Sequence, residues 1–421
     1  MTDHFSYDTS TLACDGIPLS VIANAHGTPT YVYSAAHFRE RFRALDAALD
    51  DLPHTICYAV KANSNLAILS LFDELGAGFD IVSGGELFRI AAAGAATDNV
   101  VFAGVGKTRD EIRFALENKI HSFTVESAEE LRAINSVAAD AGTLARIAVR
   151  VNPDVDPQTH TYITTGKSEN KFGLDFVAAR ELYRAAASLP NITAVGVQMH
   201  IGSQIVLTDP FVAALQKLRD FVAQLRADGV LITHVDIGGG LGIVYNNETP
   251  PSPGEFAAAI RPYLRELDAH VLLEPGRFLV GNGGVLLTRV VYVKQTPVKT
   301  FVITDAGMND LMRPALYDAW HGILPVTLRG GEPQRVDIVG PVCETGDFYA
   351  QNRELPPLEP NDLLAVTAAG AYGFAMASNY NSRPRAAEVM IDTDSFSLIR
   401  RRETWDDLVA PERHLHAHMR S

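Results

Sequence analysis

Two ionisable residues close apolar runs where a surface charge has no reason to sit. Lys61 ends the run in Tyr58-Ala59-Val60-Lys61-Ala62-Asn63, and Glu274 ends the one in Val271-Leu272-Leu273-Glu274-Pro275-Gly276-Arg277. An ammonium at the end of a buried strand is placed for desolvation, which lowers its pKa until the free amine can attack a carbonyl and form a Schiff base. The plainer alternative is a rim lysine with its stem on apolar surface and its head in water. Gly238-Gly239-Gly240-Leu241-Gly242 follows a third apolar run and lets backbone N–H groups close on an anion. Taken alone, it suits a tight strand-to-helix turn equally well. It is not a dinucleotide fingerprint, because Ile243 stands where the last glycine is needed; Gly106-Lys107-Thr108 is not a P-loop, because Val101 occupies the first glycine position.

A carboxylate such as Glu274 beside an anion cradle is repelled unless a cation accompanies it. A protonated pyridine nitrogen is such a cation: a carboxylate keeps the ring charged and an electron sink, whereas an arginine would leave it neutral. The alternative is a weak surface pair of Glu274 with Arg277. His200 closes the run from Val195 and can lie flat on a ring, or simply be a hydrogen-bonded strand-end histidine. His414, His416 and His418 alternate near the C-terminus, but a frayed tail lacks the supporting shell a metal ion needs, so no metal site is expected.

These residues need strands to hold them. From about residue 55 to 275, short β-branched runs alternate with Ala/Leu/Glu/Arg-rich stretches of helical period. The strand candidates are Thr55 to Val60, Gly78 to Val82, Val100 to Ala103, Ser122 to Val125, Arg146 to Val151, Val195 to His200, His234 to Ile237 and His270 to Leu273. Eight βα pairs fit a closed (β/α)₈ TIM-type barrel better than an open doubly wound sheet. Barrel active sites lie at the C-terminal strand ends, and those ends supply Lys61, Ser83 after Asp80, Arg150, His200, the glycine run and Glu274. The last two are the loops after the seventh and eighth strands, where barrels commonly bind phosphate. Beyond residue 279 the chain turns strand-rich, with runs Val285 to Lys294, Thr300 to Thr304, Val336 to Val339, Asp362 to Thr367 and Ala387 to Ile391. The strand-like Pro29 to Tyr33 is a candidate partner for them. The expected division is a barrel over 34–278 and a β domain built from 1–33 and 279–421.

Composition narrows the function. The chain has 421 residues, enough at ~150 per domain for two or three domains. Its 36 Lys+Arg against 50 Asp+Glu give a formal charge of −14, which argues against nucleic acid and anionic membrane as partners. Cys14, Cys57 and Cys343 are too few and too scattered for a disulfide framework or a metal site. No basic-then-apolar leader and no apolar run of ~18 residues is present, so the expected location is the cytoplasm.

Six segments then appear in order: YAVKANSN from Tyr58, HIGSQ from His200, the glycine run, EPGR from Glu274, CETGD from Cys343 and GAYGFAMASNYNSRPR from Gly370. Together they make the whole chain resemble the diaminopimelate decarboxylases, pyridoxal-phosphate enzymes of the alanine-racemase-like fold with a (β/α)₈ barrel and a β domain. The resemblance implies conversion of meso-diaminopimelate to L-lysine and carbon dioxide, the last step of lysine synthesis by that route. It implies catalytic roles for Lys61, the lysine joined to pyridoxal 5'-phosphate as a Schiff base, for His200, stacked on the ring, and for Cys343, proton donor to the carbanion. Glu274 becomes the pyridinium partner, and Asp80 and Arg150 supporting groups. Phosphate would rest on Ser203, Gly239, Gly240, Gly276 and Tyr372, with Arg277 also beside the cofactor. Substrate contacts fall to Arg277, Arg313, Tyr317, Glu344 and Tyr372. Cys343 and Glu344 would reach the barrel of a partner subunit, making a homodimer with active sites completed across its interface.

The distal end of diaminopimelate carries a carboxylate for Arg277 and Arg313 and an ammonium for Glu344. Ornithine lacks that carboxylate and would leave the arginine's charge unpaired. The alternatives are a decarboxylase of ornithine, arginine or a carboxylated polyamine, a non-enzymatic pyridoxal-phosphate carrier, which would lack the second domain, and a racemase, against which Glu274 argues. One departure, Arg385-Ala386-Ala387-Glu388 where the family usually has proline before the last alanine, lies beyond the contact residues.

Overall fold

A computed structural model describes residues 4–156 and 171–413; the alternating His414, His416 and His418 lie outside the described residues. The chain divides into two compact units, one of Arg39–Ile243 with Glu248–Leu279, the other of Met1–Phe38, Val244–Asn247 and Val280–Ser421.

In the first unit, strands His54–Ala59, Gly78–Ile81, Val100–Phe102, Ser122–Val125, Ala145–Val151, Ile192–Met199, His234–Asp236 and His270–Leu273 form a closed barrel in sequence order. Every pairing is parallel, and the ring closes where Val271, Leu272 and Leu273 lie against His54, Thr55 and Ile56. The eight expected strands are all present, with ends moved by at most a few residues. Side-chain hydroxyls and carboxylates start the intervening helices: Ser83 accepts from Glu86 N–H ahead of Gly84–Ala92, Ser127 from Glu130 N–H ahead of Ala128–Asp140, and Asp175 from Val177 and Ala178 N–H ahead of Phe176–Ala187. The turn-rich stretch after Asn246 gives way to helix Pro253–Leu267, whose start is fixed by a capping box of Ser252 and Glu255.

In the second unit, Gly284–Gln295 is the central strand. It pairs antiparallel with Thr30–Ser34, Thr300–Thr304 and Leu363–Val366, and Thr30–Ser34 pairs in parallel with Ala387–Asp392. The early strand thus joins the C-terminal sheet, as its composition suggests. Val32, Val285, Leu287, Ala365 and Val389 pack beneath it with Leu12 and Leu19. Several strands escape the sequence reading: Phe5–Asp8, Thr11–Cys14, Ile323–Pro325, Phe348–Leu355 and Ser395–Arg400. Phe348–Leu355 carries Gln351, Asn352, Arg353 and Glu354 on the outer edge of the sheet, so its composition lacks the apolar alternation of a half-buried strand. Among the described residues no helix is long and apolar enough to cross a membrane, and none cluster as a metal site.

Candidate active site

The first barrel strand passes at once into the 3₁₀ turn Val60–Ala62, which puts Lys61 at the C-terminal mouth. The turn is tied down locally. Tyr58 Oη donates to the Asn63 carbonyl at 2.8 Å, Asn63 Oδ1 accepts from Asn65 N–H at 3.1 Å, and Asn65 caps the helix beginning at Leu66. Lys61 Nζ donates to Asp80 Oδ2 at 2.6 Å, from a side chain 39% exposed to a carboxylate wholly buried. The amine is therefore not held by desolvation alone: a buried countercharge on the next strand, Asp80, fixes Nζ at the mouth.

Glu274, two residues past Leu272 of the last strand, is buried, so the surface-pair alternative fails. Gln198 Nε2 donates to its Oε2 at 3.1 Å, while Oε1 meets no N–H or hydroxyl donor among the described residues. Burial and the nearby Asp80 raise its carboxyl above the usual carboxylate range, against the opposing pull of Lys61 and Arg150. Arg150 pairs with the buried Glu126 at 3.3 Å, and Glu126 also accepts from Gly173 N–H. His200 follows strand Ile192–Met199. Burial, with Arg150 and Lys61 at hand, drives its imidazole well below the usual value, leaving a neutral ring. Its Nδ1 accepts from Gly239 N–H at 3.2 Å, which assigns the remaining proton to Nε2.

The glycine run is required by close approach: a Cβ on Gly239 would sit 2.2 Å from the Glu274 carbonyl oxygen, and Gly240 adopts φ +108°. Ser203 Oγ accepts from Arg277 at 3.0 Å, and Arg277 is itself buried. One mouth therefore gathers a lysine amine, a flat neutral imidazole, a glycine-lined backbone, and a buried carboxylate oxygen open to an N–H donor. This set fits a phosphorylated pyridine aldehyde, whose ring N–H the buried Glu274 Oε1 could accept.

The remaining expected residues belong to the strand-rich unit. Arg313 is buried at the start of helix Arg313–Tyr317; it donates to Tyr245 Oη at 2.6 Å and approaches His321 Nε2 at 3.4 Å, while His321 Nδ1 donates to the Thr367 carbonyl. Tyr317 ends that helix half-buried, and Tyr372 is half-buried at φ +57°. Cys343 and Glu344 are exposed, on a loop that is nonetheless clamped. Asp347 accepts from Met308 and Val342 N–H, each at 2.6 Å, and Cys343 N–H donates to Asn381 Oδ1 at 2.8 Å.

Sequence reasoning missed Gln198, Asp236 and Glu126 in the barrel, and Tyr245, His321, Asp347 and Asn381 in the other unit. A signal existed for two of them: Gln198 and Asp236 are polar residues inside otherwise apolar strand runs, an unfavourable burial unless each has a partner.

Residues 35–281 match the family model described as pyridoxal-dependent decarboxylase, pyridoxal binding domain. The diaminopimelate decarboxylase of Pseudomonas aeruginosa is 53% identical over 410 residues, covering 97% of this chain and 99% of its own. Among solved structures, the diaminopimelate decarboxylase of Helicobacter pylori complexed with L-lysine is 41% identical with TM-score 0.91, over 94% of this chain and 99% of its own. A lysine/ornithine decarboxylase of Vibrio vulnificus complexed with cadaverine is more distant, at 26% identity and TM-score 0.79, over 89% of this chain and 96% of its own. The site chemistry and the full-length likeness agree, and the chain belongs to the diaminopimelate decarboxylase family of pyridoxal-dependent decarboxylases.

Proposed function

We propose that this chain decarboxylates meso-2,6-diaminopimelate to L-lysine and carbon dioxide, the last step of lysine synthesis, with pyridoxal 5'-phosphate as cofactor. The observation that carries the reading is the buried Glu274 carboxylate facing the same barrel mouth as Lys61, in a chain aligned almost end to end with diaminopimelate decarboxylases. When bound, the cofactor supplies a cationic ring that absorbs the electron pair left as carbon dioxide departs.

The chain's own residues do the rest. Lys61 Nζ would hold the cofactor covalently, and Asp80 orients that amine. Glu274, whose buried Oε1 has no N–H donor among the described residues, would accept the ring N–H and keep the ring charged. His200, neutral, would cover the ring face, with Arg150 in support. Phosphate falls to Ser203, Gly239, Gly240, Gly276, Arg277 and Tyr372; Gly239 contributes its N–H only by releasing His200 Nδ1. Arg277, Arg313, Tyr317, Glu344 and Tyr372 bind substrate, and the Arg313 guanidinium, already fixed by Tyr245, offers a bidentate partner for the distal carboxylate. Cys343 would be the proton donor to substrate carbon once carbon dioxide has left.

The exposure of Cys343 and Glu344 on a clamped loop supports their reaching a partner subunit, hence a homodimer. The family model's span over 35–281 supports a barrel domain over 34–278, with 1–33 and 279–421 as the β domain. We place the enzyme in the cytoplasm, a reading supported by its acidic charge and its small-molecule chemistry. The test is incubation of the purified chain with pyridoxal phosphate and meso-diaminopimelate, with ornithine and arginine as separate arms. Lysine and carbon dioxide in equal amounts from the first arm are expected, with far slower turnover of the others; no lysine would overturn the reading. Cys343→Ala should be inactive, and unchanged turnover would reject its role.

A further inference from the structure

Strand register brings a third buried acid against the Glu274 carboxyl. Gln198, Asp236 and Leu272 are paired neighbours on the last three barrel strands, and Glu274, two residues beyond Leu272, projects to the same side. Asp236 is 2% exposed. Its Oδ1 accepts from Gly238 N–H at 2.8 Å, and its carboxyl is hydrogen-bonded to that of Glu274. Two carboxyl groups at hydrogen-bonding distance cannot both be ionised; one must supply a proton. The surroundings decide which. Glu274 also feels Asp80, but it receives the Gln198 amide N–H and the pull of both Lys61 and Arg150, all of which favour its anion. Asp236 feels Asp80 and Glu274, both negative, and only the Gly238 N–H on the favourable side. The nearby Cys57 thiol is buried, and the same three acids hold its proton on.

We propose that Asp236 is a positioning residue: it remains a neutral carboxylic acid, donates its O–H to the Glu274 carboxylate, and so keeps Glu274 an anion aimed at the ring nitrogen. The proposal rests on the reading of Glu274 as the ring-nitrogen partner. Burial first, then the charge of Glu274, pushes the Asp236 acid well above its ordinary value, in the direction required. The arrangement has a consequence for the chemistry. Were Asp236 ionised, Glu274 would have to take the proton; its carboxyl would then donate where it must accept, and the ring would lose its charge.

The test uses the full chain in two forms. In cofactor-free protein, infrared spectra from about pH 6 to about pH 8 should contain the carbonyl stretch of a protonated carboxyl that shifts on selective carbon-13 labelling of aspartate, is absent from Asp236→Asn and survives in Glu274→Gln. A band that responds to glutamate labelling instead, or one unchanged in Asp236→Asn, overturns the proposal. If Asp236→Asn does not fold, labelled wild type and Glu274→Gln decide alone. In protein loaded with nitrogen-15 pyridoxal phosphate, Asp236→Asn should keep the ring nitrogen protonated, because its amide N–H replaces the lost O–H. Asp236→Leu should lose that protonation and weaken cofactor binding about tenfold. An intact aspartate band with an unprotonated ring in wild type would instead fault the Glu274 reading, so the two failures are distinguishable.

Discussion

The two ends of the barrel bury titratable groups with opposite results. At the C-terminal mouth, Asp80, Asp236 and Glu274 lie out of water, but Lys61, Arg150, Gln198 and the Gly238 N–H meet them, so charge and shared protons persist. At the N-terminal base, His121, His234 and His270 cluster with the His121 and His234 rings 4.8 Å apart, and Thr55 bonds His270 Nε2 at 2.8 Å. Gly196 makes the room, since a Cβ there would lie 2.1 Å from His234 Nε2. Burial, with Arg146 and the neighbouring rings, drives His121 down to about 4 and His234 to about 3. Desolvation is the leading cause at both ends; at the base the like charge of Arg146 and the neighbouring rings reinforce it and Asp98 opposes it least, whereas at the mouth cations and N–H donors face the buried acids.

Substitutions at the mouth should therefore abolish turnover in a folded protein, and those at the base should alter acid tolerance in an active one. The largest effect is expected of Lys61→Ala, a loss of at least ~10³-fold in kcat with no covalently held cofactor, read by steady-state assay and intact mass. Glu274→Gln should cost roughly 10²–10³ in kcat while the protein still binds pyridoxal phosphate, because the ring loses the anion that keeps it charged. For Arg313→Leu the loss should fall mainly on diaminopimelate, by roughly 10²-fold in kcat/KM, with the ratio of ornithine to diaminopimelate turnover rising. Smallest for activity is His234→Leu, with kcat near wild type.

The base has its own pH signature. A histidine whose folded pKa lies below its unfolded value near 6.5 binds more protons when unfolded, so stability is full above about pH 7 and falls as pH drops toward about 4 and then about 3. Melting temperature against pH should decline over that window in wild type and decline less in His234→Leu. A mouth substitution that reproduced the flattening, or a base substitution that abolished turnover, would break the contrast between the two ends.

The barrel was legible because strands buried on both faces read as continuous apolar runs, and six of the eight runs carry a functional residue at or near their C-terminal end. Lys61 and Glu274 stand out for that reason. The edges of the strand-rich unit were not legible: Ser395–Arg400 and Phe348–Leu355 pair on one side only and carry polar residues. Nor was the ion pair that fixes Lys61, since Asp80 belongs to another strand and reads alone as one polar residue in an apolar run. The same holds for Arg313, whose positioning depends on Tyr245, 68 residues away in sequence, as well as on the nearby His321. Residue type marks where chemistry can occur, but pairing across strands decides protonation and orientation.

The most direct measurement is reduction of the cofactor-loaded protein with borohydride, followed by digestion and peptide mapping. The pyridoxyl mass should be fixed to the peptide containing Lys61 and to no other. Label on a different lysine, or none at all, would contradict the central claim.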